Sequence, residues 1–468
     1  MVFPRLVVAV AARVRLSPAA IARAPGIREA MSRRPEPVPA PSPPMPSGSP
    51  RTPPARTAPA PRPRRPLKVL HVVQPVDGGV ARVVTDLVAA GASEDLHATV
   101  ACRADGALAG AVRGAGGAVR HWAADRAPGP ALPGEVARIA HLVAQVRPDI
   151  VHAHSAKAGL AVRLALRGRV PTVFQPHAWS FEAVDGAHAR LARRWERYGA
   201  RWAARIVCVS AAEMRTGQAA GIDADWAVIP NGVDTGRFRP APSPAAGRAA
   251  ALPLHPDVPP DVPLVVCVAR LCRQKGQDVL LRAWPLVARQ VPGARLVLVG
   301  DGPEASALRR GAPPSVTFAG PTGDPAAWYR AADLLVLPSR WEGMALAPLE
   351  ALACGTPVLV TDVAGAREAL PAGQEPHCLV PPQDPAALAG AAVALLRDAP
   401  LRAELGRAGR RHVLATHDVR HSAAAVAAVY RALSGTGRTG STGPNGPTGP
   451  NGNAAPAASP ERRESLAT

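Results

Sequence analysis

At 468 residues the chain exceeds what one ordinary core fills, and a typical domain size divides it into two or three units. Its formal charge is +20, but residues 1–66 hold 12 Arg against 2 Glu, a net +10, so half of the excess precedes any expected domain. No basic motif with interleaved aromatics accompanies the charge, which excludes nucleic acid as the expected partner and leaves a solvated basic arm, or one held near anionic lipid.

Lysine occurs only at Lys68, Lys157 and Lys275, so nearly all positive charge is Arg, a compositional bias. The six cysteines (Cys102, Cys208, Cys267, Cys272, Cys354 and Cys378) show neither C-x-x-C pairing nor a small-domain disulfide framework, which fits a reducing cytoplasm. The apolar run Leu6–Ala12 is short, Arg13 and Arg15 follow it, and no apolar span reaches 18 residues. Neither a transmembrane helix nor a signal peptide is expected.

Residues 1–66, rich in Pro, Ala and Arg, read as a disordered tail. The folded part opens with Lys68–Val73, a short apolar run without polar alternation, as a strand buried on both faces reads. A glycine turn and a helix over Ala81–Ala90 complete a βα unit. The pattern continues with strands at His97–Cys102, Asp149–His154, Thr172–Gln175, Arg205–Ser210 and Val228–Pro230. Helices are expected at Leu132–Val146, Ala156–Leu166 and Leu191–Ala204. Strands alternating with helices imply a parallel, doubly wound sheet.

The Pro- and Ala-rich stretch Pro240–Pro263 interrupts this series, which places one domain at 67–239 and a second at 240–418. The second domain is expected to hold strands at Leu264–Ala269, Arg295–Val299, Val316–Ala319, Leu334–Leu337 and Val358–Thr361. Its helices are expected at Asp278–Gln290, Glu304–Arg310, Ala326–Ala331 and Ala345–Ala353. Three helical stretches between Pro385 and Leu433 close the fold, the last of them, 419–433, as a separate closing helix. Residues 434–468, rich in Gly, Pro and Thr, read as a second disordered tail. Two such domains leave a cleft at the carboxyl ends of their strands, where open α/β sheets bind ligands.

Chemistry concentrates in two loops of the second domain. Ser339-Arg-Trp-Glu-Gly-Met-Ala-Leu follows the strand Leu334–Leu337, with Glu342 in the loop and Glu350 about one and a half turns into the next helix. Gly343 lets backbone come close, and the free N–H groups of Met344, Ala345 and Leu346 open that helix as an anion site. Spacing alone also permits an ordinary βα loop with two unrelated carboxylates. Ala269-Arg-Leu-Cys-Arg-Gln-Lys-Gly276 supplies Arg270 and Lys275, two cations able to neutralise a diphosphate, or else a solvated basic loop.

The pair of glutamates separated by seven residues resembles the signature of glycosyltransferase family 4, of the GT-B fold: two Rossmann-like parallel-sheet domains facing a cleft. The resemblance runs from Leu67 to about Leu433. It implies that Glu342 approaches the donor sugar, that Glu350 bonds the ribose, and that Arg270 and Lys275 hold the diphosphate and stabilise the leaving group. Ala269 stands where many relatives carry Gly or Ser. Val299-Gly-Asp-Gly-Pro-Glu304 resembles the family's glycine turn, with Gly302 a donor contact, and Ile229-Pro-Asn-Gly-Val-Asp234 its interdomain segment. Asp77-Gly-Gly-Val80 resembles the family's glycine loop, with Gly79 near the donor. Gln175-Pro-His-Ala-Trp-Ser-Phe181 resembles its Pro-His-Gly segment with Ala178 replacing Gly, and makes His177 the histidine that reaches the donor sugar.

His152-Ala-His-Ser-Ala-Lys-Ala-Gly159 is similar to a segment of bacterial polysaccharide-building members and is expected to line the acceptor side. Alternating histidines without a carboxylate or Cys partner are a weak metal signal. No Asp-x-Asp follows an apolar strand, so no metal and no cofactor is expected beyond a nucleotide diphosphate sugar as co-substrate. The resemblance therefore implies a retaining glycosyltransferase. Its 67–239 domain would face the acceptor, a glycan or lipid-linked glycan, and its 240–418 domain would bind the nucleotide sugar. The expected place is the cytoplasm, with possible peripheral contact at the inner membrane face. A nucleotide-sugar 2-epimerase and a non-catalytic nucleotide-sugar-binding protein share this architecture and stand as the alternatives.

Overall fold

Seven strands form the first sheet, all parallel: β1 (Leu67–Val73), β2 (Leu96–Cys102), β3 (Ala118–His121), β4 (Ile150–His154), β5 (Thr172–Gln175), β6 (Arg205–Cys208) and β7 (Trp226–Val228). Six form the second: β8 (Leu264–Val268), β9 (Arg295–Val299), β10 (Val316–Gly320), β11 (Leu334–Leu337), β12 (Val358–Thr361) and β13 (Leu379–Val380). The computed structural model describes residues 65–251 and 262–436. The rest of the two expected tails and of the interdomain stretch lies outside the described residues.

Spatial orders are β3-β2-β1-β4-β5-β6-β7 and β10-β9-β8-β11-β12-β13. Each sheet reverses its winding between its first and fourth strands, β1/β4 and β8/β11. Helices leave the two central strands toward opposite faces there, and a crevice opens at the carboxyl edge. The continuous apolar runs follow from coverage on both faces: Ile150, Val151, Leu334, Leu335 and Val336 are fully buried.

Several elements depart from the expected pattern. The helix Ala107–Gly114 and the edge strand β3 lie in a Gly- and Ala-rich stretch whose strand is largely exposed, so no apolar run marks them. The helix Ala211–Ala219 opens on Ser210, whose Oγ accepts from the Glu213 backbone N–H at 3.0 Å, a Ser-x-x-Glu start that was legible in the sequence. The expected helix Leu191–Ala204 runs instead over Gly186–Ala200. The interdomain stretch folds in part as a helix, Pro244–Ala251, and Arg248 pairs with Asp333 at 2.8 Å.

The closing helix runs over Val419–Thr436, three residues past the expected boundary, and returns to the first domain, where it packs on the helix Gly78–Gly91 and on β4. Arg431 bonds Glu94 at 3.0 Å, and Tyr430 is fully buried against β4. One apolar cluster accordingly runs from Val69 and Ile150 through Val426 into the second domain.

Inside the first domain, Arg163 and Glu196 form a fully buried pair at 2.8 Å. Arg163 also donates to Gly159 O at 2.8 Å and lies 4.0 Å from the centroid of the Phe174 ring, while Ser180 holds the second Glu196 oxygen at 2.9 Å. Gly159 is obligatory because a Cβ there would drive into Phe174. Arg163→Leu would leave the Glu196 carboxylate buried without its cation, at a cost of about 3–5 kcal/mol. A fall of several degrees in the thermal midpoint of the first domain is the expected result, and an unchanged midpoint would refute the pair's structural role.

Candidate active site

The loop after β8 and the loop after β11 are laced together. Arg340 N–H donates to Gln274 O at 2.7 Å, Gln274 Nε2 donates to Trp341 O at 3.0 Å, and Gly276 leaves no room for a side chain against Pro338 O. Arg340 grips both carboxylate oxygens of Asp278 at 2.8 Å, which holds the second loop on the helix Gln277–Gln290. This guanidinium holds the Asp278 carboxyl below the usual carboxylate range.

Within that frame Lys275 Nζ bonds Glu342 Oε1, which also accepts from Ser339 Oγ at 2.8 Å. Glu342, expected as a ligand-facing loop residue, is buried and already paired. An ammonium has three donors, so Lys275 can hold Glu342 and a phosphate oxygen together. Arg270 is exposed, and its guanidinium forms no ion pair among the described residues. Its carbonyl accepts from Gln277 Nε2 at 3.0 Å, which fixes the backbone of its loop.

Glu350 lies on the helix Leu346–Ala353, where its Oε2 accepts from Tyr329 OH at 2.8 Å. Burial raises its carboxyl, while Tyr329 and the cations Arg82 and Arg237 oppose the rise. The same helix starts at Ala345 with no side chain over its N-terminus, so its first N–H groups remain available to an anion. Gly302 lies against the backbone of Leu271, where a Cβ would collide, and so braces the Arg270 loop from behind.

The first domain meets this wall at backbone distance. Ser210 Oγ donates to Gly343 O at 2.8 Å, and Asn231 Nδ2 donates to Met344 O at 2.8 Å. Glu368 of the second domain accepts from the N–H groups of Ala211 and Ala212, at 2.7 and 2.9 Å. A Cβ on Gly79 would stand 4.0 Å from Leu346, and one on Gly343 would stand 3.1 Å from the carbonyl carbon of His177. The glycine loop, His177 and the stretch Glu342–Leu346 therefore share one cleft.

Burial keeps His177 neutral at physiological pH by pushing its imidazole down to about 3. The backbone is left-handed at His177 (φ +58°) and at Ala178 (φ +129°). Sequence reasoning missed Glu213, whose carboxyl is pushed up to about 8 by burial, against bonds from the backbone N–H groups of Val209 and Ala178. Its signal was the capping pattern at Ser210. Asn231 lies in the segment expected to join the domains, and it does so through Met344 O; the roles of Arg340 and Tyr329 had no signal, since each acts through a contact between segments far apart in the chain.

Most of the segment His152–Gly159 is buried, with only Ser155 and Ala156 partly exposed. Lys157 is buried in an ion pair with Glu135 at 2.7 Å and donates to Ala127 O, and Gly159 packs under Phe174. His152 and His154 are buried beside His71.

Residues 77–237 match the model described as Glycosyltransferase Family 4, and residues 262–398 match that described as Glycosyl transferases group 1. The D-inositol 3-phosphate glycosyltransferase of Jonesia denitrificans is 33% identical over 308 residues, 60% of this chain and 71% of that protein. The chain belongs to glycosyltransferase family 4. This family member is also 34% identical over 241 residues to the lipopolysaccharide core biosynthesis mannosyltransferase LpsB of Rhizobium meliloti, 49% of this chain and 66% of LpsB. It is 35% identical over 215 residues to the GDP-mannose-dependent phosphatidylinositol monomannoside mannosyltransferase of Mycobacterium tuberculosis, 43% of this chain and 54% of that protein. The chain thus spans between about half and two thirds of the first of these relatives. Among solved structures, HepE of Anabaena with UDP and glucose has a TM-score of 0.66 at 24% identity, over 78% of this chain and 100% of HepE. WaaG has 0.60 at 19%, over 77% and 99%. These likenesses establish the GT-B fold.

At position 178 this family member carries Ala where the family segment has Gly, yet its backbone keeps a φ that L-residues rarely adopt. Ala178→Gly should relieve that strain, and after the greater chain entropy of Gly it should stabilise the protein by about 1 kcal/mol. A thermal midpoint at or below that of the parent would contradict this.

Proposed function

We propose that this chain transfers a glycosyl group from a nucleoside diphosphate sugar to an acceptor hydroxyl, with retention at the anomeric carbon, in polysaccharide or glycolipid assembly. The observation that supports the reading is that the stretch Glu342–Leu346, with Lys275 paired to Glu342 and the helix Leu346–Ala353 uncapped at its N-terminus, meets the backbone of His177, while Arg270 stands five residues before Lys275 in the same loop. As the bond from the anomeric carbon to the diphosphate breaks, negative charge grows on the leaving oxygen. Two cations and a helix N-terminus stabilise that charge more than the bound donor. Glu350 Oε1 makes no hydrogen bond within the described residues, which suits a ribose hydroxyl.

The departing phosphate takes the acceptor's proton on the face it leaves, the new bond forms on that face, and no carboxylate nucleophile is needed. With its charge met by Arg270, Lys275 and backbone N–H groups, the diphosphate requires no metal. Mannosyl transfer to a lipid-borne acceptor is supported by the names of the relatives, GDP-mannose-dependent in one case and lipopolysaccharide core biosynthesis in another.

Replacing Arg270 or Lys275 by Ala is expected to remove about 3–4 kcal/mol of transition-state stabilisation, a hundredfold or more in turnover. Unchanged turnover in both variants would sink the assignment. The full test is a panel of nucleotide sugars with EDTA, following nucleoside diphosphate release with and without membrane lipid extract. Release from one donor, raised by lipid, is the expected result. A requirement for divalent metal overturns the metal-independent mechanism, and silence across the panel overturns transfer.

No helix of the described residues is long and apolar enough to cross a membrane. A surface-bound site at the inner membrane face is supported by the helix Gly186–Ala200, which exposes Arg190, Arg193, Arg194 and Arg197 together with Tyr198, beside the partly exposed Trp195. Arginines close to an anionic surface contribute about 1 kcal/mol each. Reversing Arg190, Arg193 and Arg194 to Glu should lower partition onto phosphatidylglycerol vesicles by roughly tenfold or more, with turnover on a soluble acceptor kept. Binding insensitive to both the reversal and added salt would argue against this face.

A further inference from the structure

Three histidines, His71, His154 and His177, stand in a row at the cleft, with a fourth, His152, beside them. His71 on β1 pairs in register with His152 on β4, and Val73 with His154, so alternation puts all three imidazoles on the face covered by the helix Val419–Thr436. His71 Nδ1 lies 3.0 Å from His154 Nε2, and His154 Nδ1 lies 3.1 Å from His177 Nε2. His152 stands beside this line. Its ring centroid is 3.9 Å from that of His154, and its Nδ1 bonds Tyr430 OH at 2.6 Å. His71, His152 and His154 are all buried, and His177 Nδ1 makes no hydrogen bond within the described residues.

Proton counting constrains the row. A neutral imidazole has one N–H, and each of the two bonds needs one proton between its nitrogens. Both nitrogens of His154 are engaged, so only two arrangements satisfy both bonds. With the proton of His154 on Nδ1, His71 donates to His154, His154 donates to His177, and His177 presents Nδ1–H to the cleft. With the proton on Nε2, all three reverse and His177 presents a bare Nδ1. Burial makes protonation of any member costly: it lowers His71 to about 4 and His177 to about 3, and holds His152 and His154 well below the usual imidazole range.

We propose that His154, braced by His71, is a positioning residue that sets the tautomer of His177, so that the histidine facing the donor sugar offers one defined nitrogen to it. The inference rests on the sugar-transfer reading for its benefit to catalysis, but not for the hydrogen-bond chain itself. Donor hydroxyls and phosphate oxygens are rich in lone pairs, and a bound donor selects the arrangement with Nδ1–H outward. A metal centre is the other use of three clustered imidazoles: one nitrogen of each of His71, His152 and His154 lies within 4.8 Å of the others. The relay is favoured because the 3.0 Å contact is hydrogen-bond length, whereas tetrahedral Zn–N bonds hold ligand nitrogens about 3.3 Å apart. The group also holds no carboxylate or thiolate to offset a buried dication.

The test is a two-bond 1H–15N spectrum of the full chain labelled at histidine, with resonances assigned by single substitution, alone and with UDP or GDP. With nucleotide bound, His154 and His177 should each show one tautomer. His154→Leu should turn the His177 signal into a mixture, whereas His154→Asn, whose amide can still bond His177 Nε2, should keep a single form. Tyr430→Phe, which removes a hydroxyl bonded only to His152 and keeps the ring that packs edge-on against His71, should leave His177 unchanged. In transfer assays His154→Leu should lower kcat about tenfold, in proportion to the lost population of the useful tautomer, with KM for the donor within about twofold and recovery in His154→Asn. A mixed tautomer in the nucleotide-bound parent, an unaltered His177 signal in His154→Leu, or a stoichiometric metal in the purified protein would overturn the proposal. If the spectra behave as stated while no nucleotide sugar is turned over, the transfer reading fails and the relay stands.

Discussion

The whole site depends on backbone approaching backbone at Gly343. A Cβ at that position would meet Glu213 Oε1 and Val209 Cγ2 at 2.8 Å and the carbonyl carbon of His177 at 3.1 Å. Because none is there, the stretch Glu342–Leu346 comes close enough for its carbonyls to accept from Ser210 and Asn231. The cleft is thus closed by main-chain contacts. Gly365 serves the same approach from the other side, packing with positive φ against Gly343 O.

Charge is distributed unequally across the cleft. On the second-domain side Lys275, Glu342, Arg340 and Asp278 are paired, Arg270 is free of ion pairs, and together they suit an anionic ligand. On the first-domain side the row of imidazoles is neutral, and Glu213 with its raised carboxyl is protonated near neutral pH. Solvent is largely excluded there, so an unbalanced charge would be costly and polar groups meet by shared protons instead. The closing helix belongs to this arrangement. By returning to the first domain it covers the row of histidines and places Tyr430 against His152, so the two domains are tied by the chain as well as by the cleft.

Strain collects in the same place. Of the seven non-glycine residues with positive φ among the described residues, three, Ser155, His177 and Ala178, sit just beyond the carboxyl ends of β4 and β5. Such conformations persist where surrounding contacts over-determine them, and here the two His–His bonds and the bonds to Glu213 and Glu182 do so.

Strand and helix alternation and the two loops rich in Gly, Arg, Lys and Glu were legible, because buried parallel strands appear as apolar runs and those loops are contiguous motifs. Of the thirteen strands among the described residues, those that escaped, β3 and β13, are short edge strands with little to bury. By itself the sequence determined the fold class and named Arg270, Lys275, Glu342, Glu350 and His177, since each lies in a motif of contiguous residues. Only the tertiary structure decided that Lys275 is held by Glu342, that Lys157 is a core ion pair, and that His154 stands behind His177. These contacts join residues 67, 22 and 23 positions apart, and pattern along a chain carries no information about which distant side chains a sheet register brings to hydrogen-bond distance.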